Sequence, residues 1–174
     1  EDLIGTPLSH GCVCLRNRDI IRLFDTVKEG AFVFIDPPAI VINERPCRSV
    51  HFTGIFGSGM SALAQYLRFQ GIAVTGSDRF HGCEDTAFIR RSLEGLGCAV
   101  VQQDGSGVGA DSDVVCVSTA IEDSNPDIAA ARDRGIPVVH RSDLLAAIIA
   151  TKRTIAVAGT SGKSTVTGMT GWIL

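Results

Sequence analysis

The sequence has no surplus of basic residues: 16 Lys and Arg stand against 19 Asp and Glu, for a formal charge of −3. A protein that coats nucleic acid needs cations to neutralise phosphates, so that class is excluded. No apolar run approaches the ~20 residues of a membrane span, and no block of like charge suggests a tail. No basic stretch followed by an apolar one opens the chain as a secretory leader would. The six Cys form no CxxC pair and fit no zinc spacing. Cys98 and Cys116 lie in apolar, strand-like runs and read as small buried hydrophobes, which fits a reducing compartment. What is present is 45% apolar and 20% charged, a composition that supports a packed core. The 174 residues hold one domain of usual size with ~25–75 to spare.

Glycine punctuates the chain, 19 in all, and divides it. Asp36-Pro37-Pro38 closes a first segment, 1–38. The short run Ala39-Ile40-Val41-Ile42 and the polar bridge Asn43-Glu44-Arg45-Pro46 read as a linker, 39–46. From Cys47 the pattern alternates. Strands are predicted over 49–55, 72–75, 98–101, 113–117, 136–139 and 154–158. Helices are predicted over 61–70, 84–96, 127–134 and 142–149, several stopped by a glycine such as Gly71, Gly97 or Gly135. Strands separated by helices imply βαβ units, so the fold class is α/β, a Rossmann-like parallel sheet with flanking helices. Right-handed crossovers then gather the loops at the strands' C-terminal ends along one rim.

The first glycine loop, Gly57-Ser58-Gly59-Met60-Ser61-Ala62, follows the first of these strands and opens a helix. It matches G-x-G-x-x-G/A, in which bare backbone N–H groups approach a pyrophosphate and the helix N-terminus favours negative charge. Asp78 lies about 20 residues on, where an acid meets a ribose. Taken alone, the loop reads either as a nicotinamide-dinucleotide site or as a tight turn without a ligand. Ser118-Thr119-Ala120-Ile121 sits on the same rim, as hydroxyls for a diphosphate or sugar or as a turn cluster before Asn125-Pro126. His51 reads as a structural strand residue, and His81 lies in the polar loop Arg79-Phe80-His81-Gly82, which reads either as a plain solvated loop or as one that touches substrate. His140-Arg141 follows the fifth strand, with Arg141 a diphosphate candidate.

The second glycine loop, Gly159-Thr160-Ser161-Gly162-Lys163-Ser164-Thr165, carries the strongest chemical signal. A glycine turn between strand and helix cradles phosphates, Lys163 supplies charge to the terminal phosphates, and the Ser164 hydroxyl suits Mg2+. Val157 stands where a full Walker pattern has Gly. Two phosphate loops about 100 residues apart exclude a simple dehydrogenase and call for two nucleotides, one of them ATP.

This pair of loops resembles the Mur ligase family, in particular its UDP-N-acetylmuramate–L-alanine ligase and murein tripeptide ligase group, over residues 49–174. The resemblance is carried by His51-Phe52-Thr53-Gly54-Ile55-Phe56-Gly57-Ser58-Gly59-Met60-Ser61, Gly76-Ser77-Asp78, Ser118-Thr119-Ala120-Ile121 with Asn125-Pro126, Arg134-Gly135-Ile136-Pro137-Val138, and Ala158-Gly159-Thr160-Ser161-Gly162-Lys163-Ser164-Thr165. In the last motif His and Thr are commoner in that family than Ser161 and Ser164. The resemblance implies a UDP-sugar-binding domain over 47–151 and the start of an ATP-binding domain over 152–174. It places the diphosphate on Gly57, Ser58, Gly59, Met60 and Ser61, the uridine beside Ser77 and Asp78, and Ser118, Thr119 and Ala120 over the ligand. It implies ATP and Mg2+ as cofactors, a UDP-N-acetylmuramate-type nucleotide sugar and an amino acid or peptide as partners, and a cytoplasmic enzyme. ATP would phosphorylate the substrate carboxylate, and an amine would attack the acyl phosphate to form an amide. Lys163 would offset charge on the transferred phosphoryl group.

Residues 1–38 follow another pattern. Ser9-His10-Gly11-Cys12-Val13-Cys14-Leu15, with Ile4-Gly5-Thr6-Pro7 before it and Asn17-Arg18-Asp19 after it, resembles the active-site end of a YkuD-type L,D-transpeptidase. The resemblance implies a β-rich remnant of that domain, with Cys12 the acyl-enzyme nucleophile and Ser9 and His10 shaping its pocket. Cys14 stands where that family usually has Arg, and the family's general-base His would fall before Glu1. A thiol without its base is a weak nucleophile at neutral pH. The sequence opens on Glu1 and closes inside the apolar run ending at Leu174, and on this reading it is a piece of a longer protein. It is expected to bind a UDP-sugar without completing a ligation. An L,D-transpeptidase and a nicotinamide-binding module without chemistry are the rival functions.

Overall fold

The computed structural model describes residues 39–173. The Cys12, His10 and Ser9 assignments, and the rest of the 1–38 segment, lie outside the described residues.

The polar bridge is a turn. Strands β1 (Val41–Ile42) and β2 (Arg45–Pro46) pair antiparallel across Asn43 and Glu44, both with positive φ (49° and 63°). Two left-handed residues give the twist that a two-residue hairpin needs. Buried Ile40 anchors it, and the Cys47 N–H donates to the Ile40 carbonyl at 2.8 Å. The 39–46 stretch, expected as a linker, is therefore ordered by the burial of its own apolar residue.

The main sheet follows. It is built from β3 (Ser49–Thr53), β4 (Ala73–Asp78), β5 (Ala99–Gln102), β6 (Val114–Val117) and β7 (Val138–His140), all parallel, in the order β5-β4-β3-β6-β7. Helices α1 (Ser58–Phe69), α2 (Ala87–Gly95, after a 3-10 turn over Glu84–Thr86) and α3 (Pro126–Asp133) make the β3–β4, β4–β5 and β6–β7 crossovers, the β5–β6 connection has no helix, and α4 (Arg141–Ile149) follows β7. The strand order reverses between β3 and β6, and in such sheets the crevice at the reversal is where ligands sit.

Both faces of the sheet are covered, as parallel strands require. Successive side chains alternate between faces. On β3, Val50 and Phe52 enter a large core with Met60, Ala64 and Leu67 of α1, Leu93 of α2, and Leu144 and Ile148 of α4. On β6, Val115 faces the other way and packs with Val108, Ala131 and Ile136. His51 and Thr53 alternate with Val50 and Phe52, and their register partners on β4 are Thr75 and Ser77. A polar strip thus runs through the interior of an otherwise apolar sheet.

The expected sixth strand, 154–158, does not form. Ile155 is 64% exposed, and no described residue pairs with the segment. A strand is stabilised by neighbours rather than by its own propensity, and here it has none to bond. Helix α5 (Lys163–Ile173) then follows with no buried residue. No helix among the described residues is long and apolar enough to cross a membrane.

Candidate functional site

The cleft lies at the C-terminal ends of β3, β4 and β6, where the strand order reverses. It measures about 550 Å³ and is bordered by Gly54, Gly57, Met60, Asp78, Ser118 and Asn125, among others. Gly54 turns the chain out of β3 with φ +79°, and a Cβ there would press on Ile121 at 3.1 Å. The bare position thus lets the loop after β6 close against the loop after β3.

Helix α1 begins three residues earlier than the periodicity suggested, at Ser58, so Gly59 lies in its first turn. Its N-cap residue is Gly57, and no side chain caps it. The N–H groups of Ser58 and Gly59 have no acceptor among the described residues, while those of Met60 and Ser61 turn back to the Gly57 carbonyl. Two such amides at the positive end of a 12-residue helix are chemically suited to an anion. The Ser61 hydroxyl is not part of it, because it donates to the Ser58 carbonyl at 3.2 Å and the residue is buried.

Arg141 completes the positive ring. It opens α4 just after β7, and its guanidinium lies on Gly59: a Cβ added there would overlap Arg141 Nη1. The chain thus brings the candidate diphosphate cation onto the candidate diphosphate loop from 82 residues away (141 − 59). His140 caps α4, with Nδ1 accepting from the Ser142 N–H at 3.2 Å.

Asp78 is placed at the cleft but is committed to the protein. Its Oδ2 accepts from the Phe56 N–H and its Oδ1 from the Phe80 N–H, each at 3.0 Å, and the residue is 4% exposed. It fastens the glycine loop to the loop after β4. An acid that reads the ribose of a nicotinamide dinucleotide presents its oxygens to a diol, and this one presents them to main chain. Ser77, expected beside the uridine, points the opposite way: it is fully buried and its hydroxyl donates to Asp127 Oδ2. Only its backbone faces the loop, where its carbonyl accepts from Gly54 and Ile55. Ser118 and Ala120 border the cleft, and Thr119 is exposed beside them. His81 does not border it.

Sequence reasoning missed several lining residues. Phe56, Phe80, Gln103 and Asn125 border the cleft, and Arg79 stacks its guanidinium 4.9 Å from the centre of the Phe80 ring. Phe56 and Asn125 lie in the quoted motifs but were given no role there, Arg79 and Phe80 lie in the polar loop 79–82, and the fold brings them together with Gln103. The largest omission is Asp127, fully buried, on which His51, Thr53, Ser77 and Gly105 converge. Burial pushes its carboxyl up, but hydrogen bonds from His51 and Ser77, the charge of His51 and the Thr53 bond prevail and hold it below its ordinary 3.8.

The buried thiols are not candidates for chemistry. Burial, with the nearby Asp113 charge, pushes Cys47 up to about 11. Burial pushes Cys116 up to about 12, and it raises Cys98 as well. A thiol is nucleophilic only as thiolate.

The second loop keeps its local chemistry. Gly162 is left-handed at φ +75°, and Lys163 folds back so that Nζ donates to the carbonyls of Gly159 (2.9 Å) and Thr160 (3.4 Å). Thr160, Ser161, Ser164 and Thr165 are exposed around it. A lysine held over a glycine turn at a helix start, with a hydroxyl next to it, fits the phosphates of ATP with Mg2+.

The Mur ligase family, catalytic domain, matches residues 49–153. The UDP-N-acetylmuramate–L-alanine ligase of Nitratidesulfovibrio vulgaris (strain DP4) is 42% identical over 123 residues, 71% of this chain and 26% of that protein. Among solved structures, a murein peptide ligase from Psychrobacter arcticus 273-4 aligns with a TM-score of 0.62 at 30% identity, covering 72% of this chain and 26% of that one. The UDP-N-acetylmuramate-alanine ligase of Thermotoga maritima aligns at 0.60 and 34%, covering 71% and 28%. The chain spans about a quarter of the length of these relatives. The family match covers more than half of the chain, and the chain belongs to the Mur ligase family.

Proposed function

We propose that this chain supplies the nucleotide-sugar-binding part, and the opening of the ATP-binding part, of an ATP-dependent ligase of peptidoglycan synthesis or recycling. The ligase would join the carboxylate of a UDP-N-acetylmuramoyl substrate to an amino acid or peptide through an acyl phosphate. Residues 47–151 would hold the nucleotide sugar and 152–174 would begin the ATP-binding domain.

One observation carries the reading: the Arg141 guanidinium rests on Gly59 beside two free helix-terminal amides, at the sheet's reversal point. A diphosphate is bound by that combination of fixed N–H donors and a planar cation. Ser118 and Ala120 then border the sugar side, and Asp78 acts by holding the glycine loop in shape. ATP would supply the phosphoryl group that activates the carboxylate. Lys163 would bind its terminal phosphates, Ser164 would hold Mg2+, and Gly159, Thr160, Ser161, Gly162 and Thr165 would shape the cradle. The cytoplasm, where UDP-sugars and ATP reside, is the compartment this reading requires.

The test is a thermal-shift series on the 174-residue chain. UDP-N-acetylmuramate raises Tm in a saturable way, and NAD does not. A shift with NAD alone would replace the reading with a nicotinamide site. For residues 1–38 we propose the C-terminal piece of an L,D-transpeptidase domain, supported by the Ser9-His10-Gly11-Cys12 pattern. Acylation of Cys12 by a carbapenem, read by mass, tests for a working nucleophile. An adduct on Cys12 supports this reading, and no adduct at neutral pH counts against it.

A further inference from the structure

The buried Asp127 has no place among the ligand contacts just described, yet three other segments end on it. Thr53 Oγ1 donates to Oδ2 at 3.1 Å, and Gly54, the next residue, borders the cleft. Ser77 Oγ donates to the same oxygen, and the next residue is Asp78. The Gly105 N–H donates to Oδ1 at 2.9 Å, two residues after cleft-lining Gln103. Asp127 itself is the second residue of α3, directly after Asn125 and Pro126, and its own N–H is capped by Asn125 Oδ1 at 3.0 Å. His51 closes the set from below, with Nε2 3.3 Å from Oδ2 and Nδ1 2.8 Å from Thr75 Oγ1. Gly107 lies bare over His51, where a Cβ would press within 2.9 Å of Cε1.

We propose that Asp127 is a positioning residue for the cleft, one carboxylate that fixes the loops after β3, β4, β5 and β6 relative to each other. The inference rests on the reading of the cleft as a nucleotide-sugar site. A loop that contributes ligand contacts is costly to order on binding, and fixing it beforehand raises affinity without adding a contact. Hydrophobic packing would hold these loops less specifically, because it is non-directional. A buried carboxylate with several converging donors tolerates only one arrangement of them, since each lost partner leaves a desolvated group.

The experiment uses the full 174-residue chain and four variants: Asp127→Ala, Asp127→Asn, Ser77→Ala and, as a control for lost stability alone, Leu67→Ala in the core. Affinity for UDP-N-acetylmuramate is measured by calorimetry on folded protein, and amide exchange by NMR. Asp127→Ala is expected to weaken binding about tenfold or more, the scale of one charge-assisted hydrogen bond set. Asp127→Asn keeps the size and the acceptor for Gly105 and restores part of the affinity. Leu67→Ala lowers Tm yet leaves affinity within about twofold, since stability and site geometry are separate quantities. In Asp127→Ala the amides of Gly105, Ile121 and Asn125 exchange faster by a larger factor than the slowest amides of β3 and β4. If Asp127→Ala does not fold, Asp127→Asn and Ser77→Ala carry the test at a smaller predicted loss. Affinity unchanged across the Asp127 and Ser77 variants, or exchange accelerated equally everywhere, overturns the proposal. If the wild-type chain itself does not bind the nucleotide sugar, the proposed function falls. The positioning claim is then decided by the exchange pattern alone.

Discussion

The two glycine loops share one local chemistry and have opposite surroundings. The first leaves β3, a central strand, and its helix α1 buries Met60, Ser61, Ala64 and Leu67. Other segments then supply Arg141 and the 118–126 loop. The second follows a segment with no strand partner among the described residues, and its helix α5 buries nothing. A phosphate motif therefore specifies a turn and a charge, while the walls of a site come from distant chain. Among the described residues only the first loop has such walls.

That contrast can be broken by mutation. Leu67→Ala, at a fully buried position, should cost roughly 2–5 kcal/mol by chemical denaturation. Trp172→Ala in α5, at a position 91% exposed, should stay within about 0.5 kcal/mol. An equal loss at both positions would mean α5 is packed against something. Glycines sharpen the same point. A Cβ on Gly76 would overlap Ile55 Cδ1, so Gly76→Ala should destabilise by about 1–3 kcal/mol. Gly168, inside α5 with open space around it, should gain up to about 1 kcal/mol of helix stability as Ala, read by helical circular dichroism. Arg141→Ala should weaken UDP-N-acetylmuramate about tenfold by calorimetry with little change in Tm, since the side chain is exposed.

Two smaller effects follow from protonation. Asp127 is held below its ordinary 3.8, so its contribution is complete above about pH 4 and is lost as pH falls through the depressed value. The Tm gap between wild type and Asp127→Asn should therefore be widest near neutrality and narrow in acid. Among the described cysteines, exposed Cys83 should react with iodoacetamide at pH 8, whereas Cys47, Cys98 and Cys116 should react only after denaturation.

The sheet was legible because its signals are local. Apolar runs such as 113–117 and glycine stops such as Gly71 mark each βαβ unit, and five of six expected strands are present. The sixth failed because Thr154-Ile155-Ala156-Val157-Ala158 has strand composition, whereas a strand exists only as a pairing. The glycine loop and Arg141 were legible from their place at strand ends. The inward turn of Ser77 was decided by register: it shares a face with Thr53, not with Asp78. Asp127 was hidden because a single Asp at a helix start reads as an ordinary first-turn acid. Its role depends on His51, Thr53, Ser77 and Gly105, separated from it by 22 to 76 residues.

The central claim is that the first loop grips a sugar-linked diphosphate between helix-terminal amides and Arg141. Amide NMR of the chain titrated with UDP-N-acetylmuramate tests it most directly. The account predicts saturable shifts centred on Ser58, Gly59 and 118–121, weakened by Arg141→Ala and not competed by NAD. Shifts confined to 159–165, or full displacement by NAD at equal concentration, would contradict it.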